Sequence, residues 1–399
     1  MDYTLDAMQV LELALHLCLF SDKQETMKLA NKMAAFALLL TTFGFVACNE
    51  QELLEGDPVL TISTNMILAN GTDQAVMKVV VEGVDVTEDA AFYLNEMRYS
   101  GNVFTTTAPG NQVLHAVYNN KRTEPVLVKA IDTRLYAELP ADNNAEQFDN
   151  FAHKVLLTQG TGTWCGYCPY MIRAIEMFRA EQANADKVVV VAAHSGDNLS
   201  SKASEAAVKA CRIVDFPSSA FNLNYEALIS NNDPSLNAVN INSKASMELK
   251  EDARVGISAV SKVAGNKVSV RAAVKVGVSG AYRVNAWLVE DGVTDVQSSY
   301  WPDFSNGKSS IVMEHDFVLR DASCITPIFG EWLGSKEYCE AGETLEFYHE
   351  FNTKESGVLS IPKCKVVVLV SAYLDGSTRF AVNNVVECLA GGSVPFAYN

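Results

Sequence analysis

Apolar and polar positions alternate in short runs between residues 57 and 132. LTIS, AVMKVVVEG, QVLHAVY and PVLVKAI carry β-branched alternation, and ANGTD, APGN and NNKR between them have turn chemistry. The pattern changes over 153–252. KVLLTQ reads as an apolar strand, MIRAIEMFRAEQ as a helix, VVVVAA as a continuous buried strand and SEAAVKACRI as a second helix. After FPSSAFN and NNDP, a third helix over SLNAVNINSKASMELK is announced by Asp233 as cap and Pro234 in the first turn. From 253 to 399 alternation returns in RVGISAVSK, KVSVRAAVKV, YRVNAWLVED, TLEFYHEF, KVVVLVSAY and RFAVNNVVEC.

These patterns predict a multidomain chain. An N-terminal β-sandwich of immunoglobulin type spans 57–132, without the Cys–Trp–Cys signature of antibody domains. A polar linker follows at 133–152. An α/β domain over 153–252 has strand–helix–strand order, which implies a parallel sheet with right-handed crossover. A second β-sandwich fills 253–399.

The start of the chain changes the compartment. Residues 1–26 match neither a signal peptide nor a domain start and read as a gene-model extension. At Met27 a basic MKLANK precedes the 14-residue apolar stretch MAAFALLLTTFGFV, too short for a comfortable membrane span. Ala47-Cys48 and an acidic run come next. This resembles the lipobox of bacterial lipoproteins, with Phe45 where that pattern usually has Leu. Residues 27–47 would then be a lipoprotein signal and Cys48 the acylated first residue. A plain secretory signal or a single anchor is the alternative.

The full sequence has a net charge of −17. Removing residues 1–47 takes away five acids and three lysines, leaving −15 on 352 residues. So acidic a chain is a poor nucleic-acid binder. The expected place is the outer membrane, lipid-anchored, on its periplasmic or cell-surface face.

TGTWCGYCPY, residues 161–170, carries the chemistry. At a strand-to-helix turn, free N–H groups and the helix dipole stabilise a thiolate. Cys165 would be nucleophilic, and Cys168 is spaced to attack a mixed disulfide formed on it. Trp164 would shield one side of the pair. A zinc site needs two further ligands, yet the six histidines are scattered and no second C-x-x-C occurs. An inert, permanently oxidised pair is the other alternative. No cofactor is implied, and no metal.

W-C-G-Y-C after an apolar strand resembles the thioredoxin superfamily active site. The resemblance implies that Pro217, in Phe216-Pro217, is the cis-proline beside the cysteines. It also implies a buried acid six residues before Cys165, where this chain has Gln159. His194, following VVVVAA, is the candidate proton acceptor in its place, against the reading of an ordinary loop histidine. A narrower resemblance rests on the lipoprotein signal, TGTWCGYCPYM, FPSSAFN, WLVEDGV, Gln297 and MEHDFVLRD. Together these resemble the Omp-twenty-eight-related outer-membrane lipoproteins, which implies outer-membrane attachment and a thioredoxin-like domain.

The other cysteines suggest staples. Cys364 and Cys388 lie equidistant from Gly376, so a three-residue hairpin loop would set them opposite each other. Cys324 and Cys339 could close a loop of about 15 residues. Cys211 is left as a buried thiol.

Two functions compete. One is a membrane-anchored thiol–disulfide oxidoreductase whose partners are thiols or disulfides of exported proteins, with Pro217 positioning an extended substrate chain. The other is a surface binding or adhesion lipoprotein that uses the thioredoxin fold as a scaffold, with Tyr300, Trp301 and Trp332 on a binding face. Exposure of Cys165 separates them. The oligomeric state is not legible.

Overall fold

The computed structural model describes residues 54–224, 227–229, 232–374 and 376–399. The expectations for residues 1–26, for the signal at 27–47 and for Cys48 lie outside the described residues. Among the described residues, no helix is long and apolar enough to cross a membrane.

Residues 57–132 form a β-sandwich. One sheet holds Val59–Ile62, Ala75–Val81, Val84–Asp85 and Val103–Phe104. The other is built on Val126–Ile131, Gly110–Tyr118 and Ala91–Leu94. Alternation works as read: Ala75, Met77, Val79 and Val81 are buried while Val76 and Lys78 face outward.

The next strands are β1 (Val155–Thr161), β2 (Val188–His194), β3 (Ser218–Phe221) and β4 (Ala227–Ile229). Helices α1 (Cys168–Glu181), α2 (Lys202–Ala210) and α3 (Pro234–Glu248) connect or follow them. Ser201 and Ser204 form a capping box on α2, and Asp233 caps α3 with Pro234 in its first turn. β1 and β2 are parallel and buried along their whole length. Val155, Leu157, Val188 and Val190 pack with Met171, Ile175 and Phe178 of α1 and with Ile241 of α3. The intervening Leu156, Val189 and Val191 pack with Ala203 and Ala207 of α2 on the other face.

The C-terminal strands are β5 (Val255–Ala264), β6 (Lys267–Val276), β7 (Tyr282–Glu290), β8 (Val293–Ser298), β9 (Ser310–His315), β10 (Val318–Ala322), β11 (Thr344–Asn352), β12 (Cys364–Tyr373) and β13 (Phe380–Leu389). A short helix α4 (Pro302–Ser305) lies between β8 and β9. The boundary expected at 252/253 does not interrupt the sheet. The order β4-β3-β1-β2-β10-β7-β12-β13 runs through both regions, joined where Ala192 of β2 pairs in parallel with Val318 of β10. The sheet is mixed: β3 lies antiparallel to β1, and β7, β12 and β13 are antiparallel throughout.

A second sheet, β11-β6-β5 with Ser393–Val394, closes the C-terminal sandwich. Its Val268, Val270, Val274, Phe347 and Phe351 pack with Val284, Leu288, Val366 and Val368 of the long sheet. The linker is pinned to this unit. Lys275, buried, pairs with Asp142 at 2.5 Å and donates to the carbonyls of Asn144 and Gln147 and to the Tyr398 hydroxyl.

Among the described residues neither suggested C-terminal disulfide forms, and Cys324, Cys339, Cys364 and Cys388 are free thiols. The β12–β13 hairpin closes between Tyr373 and Phe380, a longer loop than the three residues expected, and a bulge passes Asn383. Cys388 therefore faces Val366, while the Cys364 carbonyl accepts from Ala390. The two lie two residues out of register, about 7 Å along the sheet. Burial pushes the Cys364 thiol up to about 12 and the Cys388 thiol to about 11. Cys339 pairs with Gly280, whereas Cys324 is held at Asn285. Those anchors are five residues apart, Gly280 before β7 and Asn285 within it. Cys211 is a buried free thiol, pushed up to about 12 by burial.

Candidate functional site: a covered cysteine pair

β1 delivers the chain to the turn 162–167, and α1 starts at Cys168 with Pro169 in its first turn, where no N–H is needed. Cys165 and Cys168 are joined by a disulfide, Cα to Cα 5.4 Å. The Cys168 amide donates to the Cys165 carbonyl at 3.2 Å, and the Cys165 amide to the Gly162 carbonyl at 3.0 Å. Phe216-Pro217 is cis, and Ser218 pairs with Gly160, so Pro217 lies alongside the end of β1. Trp164 is 52% exposed, donates from Nε1 to the Ser195 carbonyl at 2.8 Å and meets Phe216 edge-on at 5.5 Å.

Cys165 itself is only 4% exposed and Cys168 is fully buried. The residues packed against the cysteine loop come from the C-terminal region. Gln297 Nε2 points into four backbone carbonyls: Cys165 at 2.9 Å, Ser298 at 3.0 Å, and Gly162 and Thr163 at 3.3 Å. The Ser298 amide donates to the Thr163 carbonyl at 2.7 Å, and the Tyr300 amide to the Gly166 carbonyl at 2.7 Å. Position 166 must be glycine for this approach, because a Cβ there would lie 2.6 Å from the Tyr300 ring. Tyr167 meets Tyr300 edge-on, and Tyr170 stacks on Trp301 at 4.7 Å. Tyr300 and Trp301 thus sit against the cysteine loop. Trp332 does not join them: it stacks under the Arg283 guanidinium at 3.9 Å and touches Phe380.

His194 ends β2, buried, with Nδ1 2.8 Å from Asp197 Oδ2. Among the described residues no hydrogen bond joins it to either cysteine. Asp197 Oδ2 also accepts the Thr163 amide at 2.7 Å, while Oδ1 accepts the Leu199 amide and the Ser200 hydroxyl. Burial works to raise this carboxyl, but His194 and the two amides hold it down at about 2. His315 of β9 meets the His194 ring edge-on at 5.3 Å, and burial followed by the nearby His194 charge lowers it to about 4.

Gln159 lies buried on β1, and its Nε2 makes no hydrogen bond among the described residues. Sequence reasoning missed Asp197, His315 and the pinning role of Gln297. The H-x-x-D spacing of 194–197 was a usable signal for the first. Among the described residues no three His, Cys, Asp or Glu side chains group to hold a metal.

Residues 205–392 match the family described as outer membrane protein Omp28. Over that stretch the chain is similar to outer membrane proteins. The stretch takes in Pro217, Gln297 and Tyr300, and begins beyond the cysteine pair. No curated protein matches the chain. Among solved structures, HBP35 of Porphyromonas gingivalis is similar at 18% identity and TM-score 0.47, covering 62% of this chain and 78% of that one. Spo0M, a sporulation control protein from Bacillus subtilis, is similar at 10% identity and TM-score 0.22, covering 36% of this chain and 49% of its own. The E. coli curli protein CsgC gives 13% and 0.16, over 33% of this chain and 96% of its own. At these scores none defines the fold.

Proposed function

We propose that the chain is a lipid-anchored outer-membrane protein with a thioredoxin-like thiol–disulfide centre that exchanges with exported proteins. The observation that carries this reading is the Cys165–Cys168 disulfide at the N-terminus of α1, fed by a buried parallel strand and flanked by Pro217.

In the oxidising direction a partner thiolate attacks Cys165 Sγ. The Cys165–Cys168 bond breaks, and its electron pair leaves on Cys168, which takes up a proton. A second partner thiol attacks the mixed disulfide and releases Cys165. The partner departs with a new disulfide, and two electrons and two protons have passed to the pair. The reverse sequence reduces or reshuffles a partner disulfide. His194 orients the loop through Asp197, and Thr163 ties the cysteine turn to the same carboxylate.

A second reading, a binding lipoprotein in which the pair is a staple, is favoured by the burial of Cys165. Trapping distinguishes the two. Cys168→Ser leaves Cys165 unable to be resolved, so mixed disulfides with exported proteins should accumulate and should be missing in Cys165→Ser. An absence of adducts in both variants supports the staple.

A further inference from the structure

The strands that cover the disulfide are one ladder with a bend in it. Glu290 of β7 faces Val318 of β10, and beyond the bend Val293 of β8 faces His315 of β9, in unbroken register. At the bend Gly292 and Phe317 both take left-handed backbone conformations, φ +66° and +63°. Two aspartates replace the ladder bonds there. Asp316 Oδ1 accepts the Gly292 amide at 2.8 Å, and Asp291 Oδ1 accepts the Phe317 amide at 2.9 Å. Past this point β8 and β9, among the described residues, pair with each other alone and leave the long sheet.

The seat of this arm differs from the core it springs from. Beneath it lies a cavity of about 40 Å³ lined by Gln159, Thr161, Ile175, Glu176, His194 and His315. Gln159 Nε2, Thr161 Oγ1, His315 Nε2 and Gln297 Oε1 are buried there and make no hydrogen bond among the described residues. Burying polar atoms without partners is unfavourable, and water repays it when the surface opens. Outward, Val296, Val312 and Tyr300 are exposed, Tyr300 at 65%. What holds the arm down is the Gln297 amide in its ring of carbonyls, the Ser298 and Tyr300 amides and three ring contacts, with Val293 packed on Leu199 at its root.

We infer that residues 293–315 are a hinged lid over Cys165–Cys168, that Gln297 is its latch, and that the lid selects which thiols reach the disulfide. The closed lid leaves Cys165 to small thiols and bars protein thiols. Protein partners exchange only from the open form. The selection rests on the exchange reading above, whereas the opening does not.

The test compares the full chain with Gln297→Ala and Tyr300→Ala, the second replacing an exposed ring so that folding is preserved. Amide hydrogen exchange of residues 293–315 is measured with the 57–132 sandwich as internal reference. Reduction of the pair is timed with dithiothreitol and with a reduced thioredoxin, each a dithiol that leaves as its own disulfide. We expect the arm amides to exchange about tenfold faster in Gln297→Ala with the sandwich unchanged. The thioredoxin rate should rise by a similar factor, and the dithiothreitol rate much less. Arm exchange unchanged in both variants overturns the lid. Equal acceleration of both reductants overturns the selection. An arm that opens while neither reductant attacks the pair keeps the lid and removes the exchange function.

Discussion

From Val289 onward the β7–β10 ladder and its continuation β8–β9 share one register, yet the two halves lie in different environments. Inside the long sheet Trp287, Val289 and Leu319 are buried among apolar Val367, Leu369 and Ala207, with the Trp287 Nε1 left without a partner among the described residues. Beyond Gly292 the same two strands bring Gln297 and His315 down onto Thr161 and Gln159, and several polar atoms of these four lack partners among the described residues. Burial of apolar area fixes the first region, and only unfolding can release it. Hydrogen bonds that water can replace fix the second. Continuous strand pairing therefore does not make a rigid body, and the cysteine pair lies under the weaker half.

This contrast can be broken at several points. The largest effect is expected in the dry half: Trp287→Ala should cost about 4 kcal/mol by denaturant unfolding, through lost transfer and an unfilled cavity. His315→Phe addresses the wet half. Its folded value near 4 lies below the ordinary 6.5, so the folded arm needs the neutral ring. That stability is present above pH 6.5 and is lost as pH falls toward 4, by up to about 3 kcal/mol. Thermal melts should show the wild type losing ground over this window relative to His315→Phe.

Asp197 gives a separate window. Its carboxyl is held at about 2 against 3.8 unfolded, so its contribution, about 2 kcal/mol, is present above pH 4 and lost as pH falls to 2. Asp197→Asn should be weaker by that amount at pH 7, with the difference closing across that range in acid unfolding curves. The smallest effect is expected at the exposed Arg173–Glu176 pair, where Arg173→Ala should cost no more than about 0.5 kcal/mol.

Much of the fold was legible because burial writes directly into alternation. VVVVAA is buried throughout β2, and AVMKVVV alternates as its strand does. Asp233 and Pro234 marked the start of α3 through local chemistry that tertiary packing left alone. Register was less legible. The Cys364–Cys388 expectation needed a three-residue turn and no bulge, and the chain has neither. The boundary at 252/253 was invisible as a continuous sheet because it is bridged by a single pairing, Ala192 with Val318. The site was half legible. Cys165, Cys168, Trp164 and Pro217 announce themselves within 54 residues of sequence. Their cover does not, since the bond from Gln297 to Cys165 spans 132 residues and no local pattern encodes it. Tyr300 and Trp301 looked like free loop aromatics because sequence gives exposure tendencies and not docking partners.

The central question is whether Cys165–Cys168 is a working redox pair beneath its cover. Its reduction potential, measured on the chain from residue 49 beside Cys165→Ser, asks this most directly. A reversible potential between about −120 and −270 mV is predicted. A pair that resists reduction below about −300 mV would contradict the account and mark the disulfide as a structural staple.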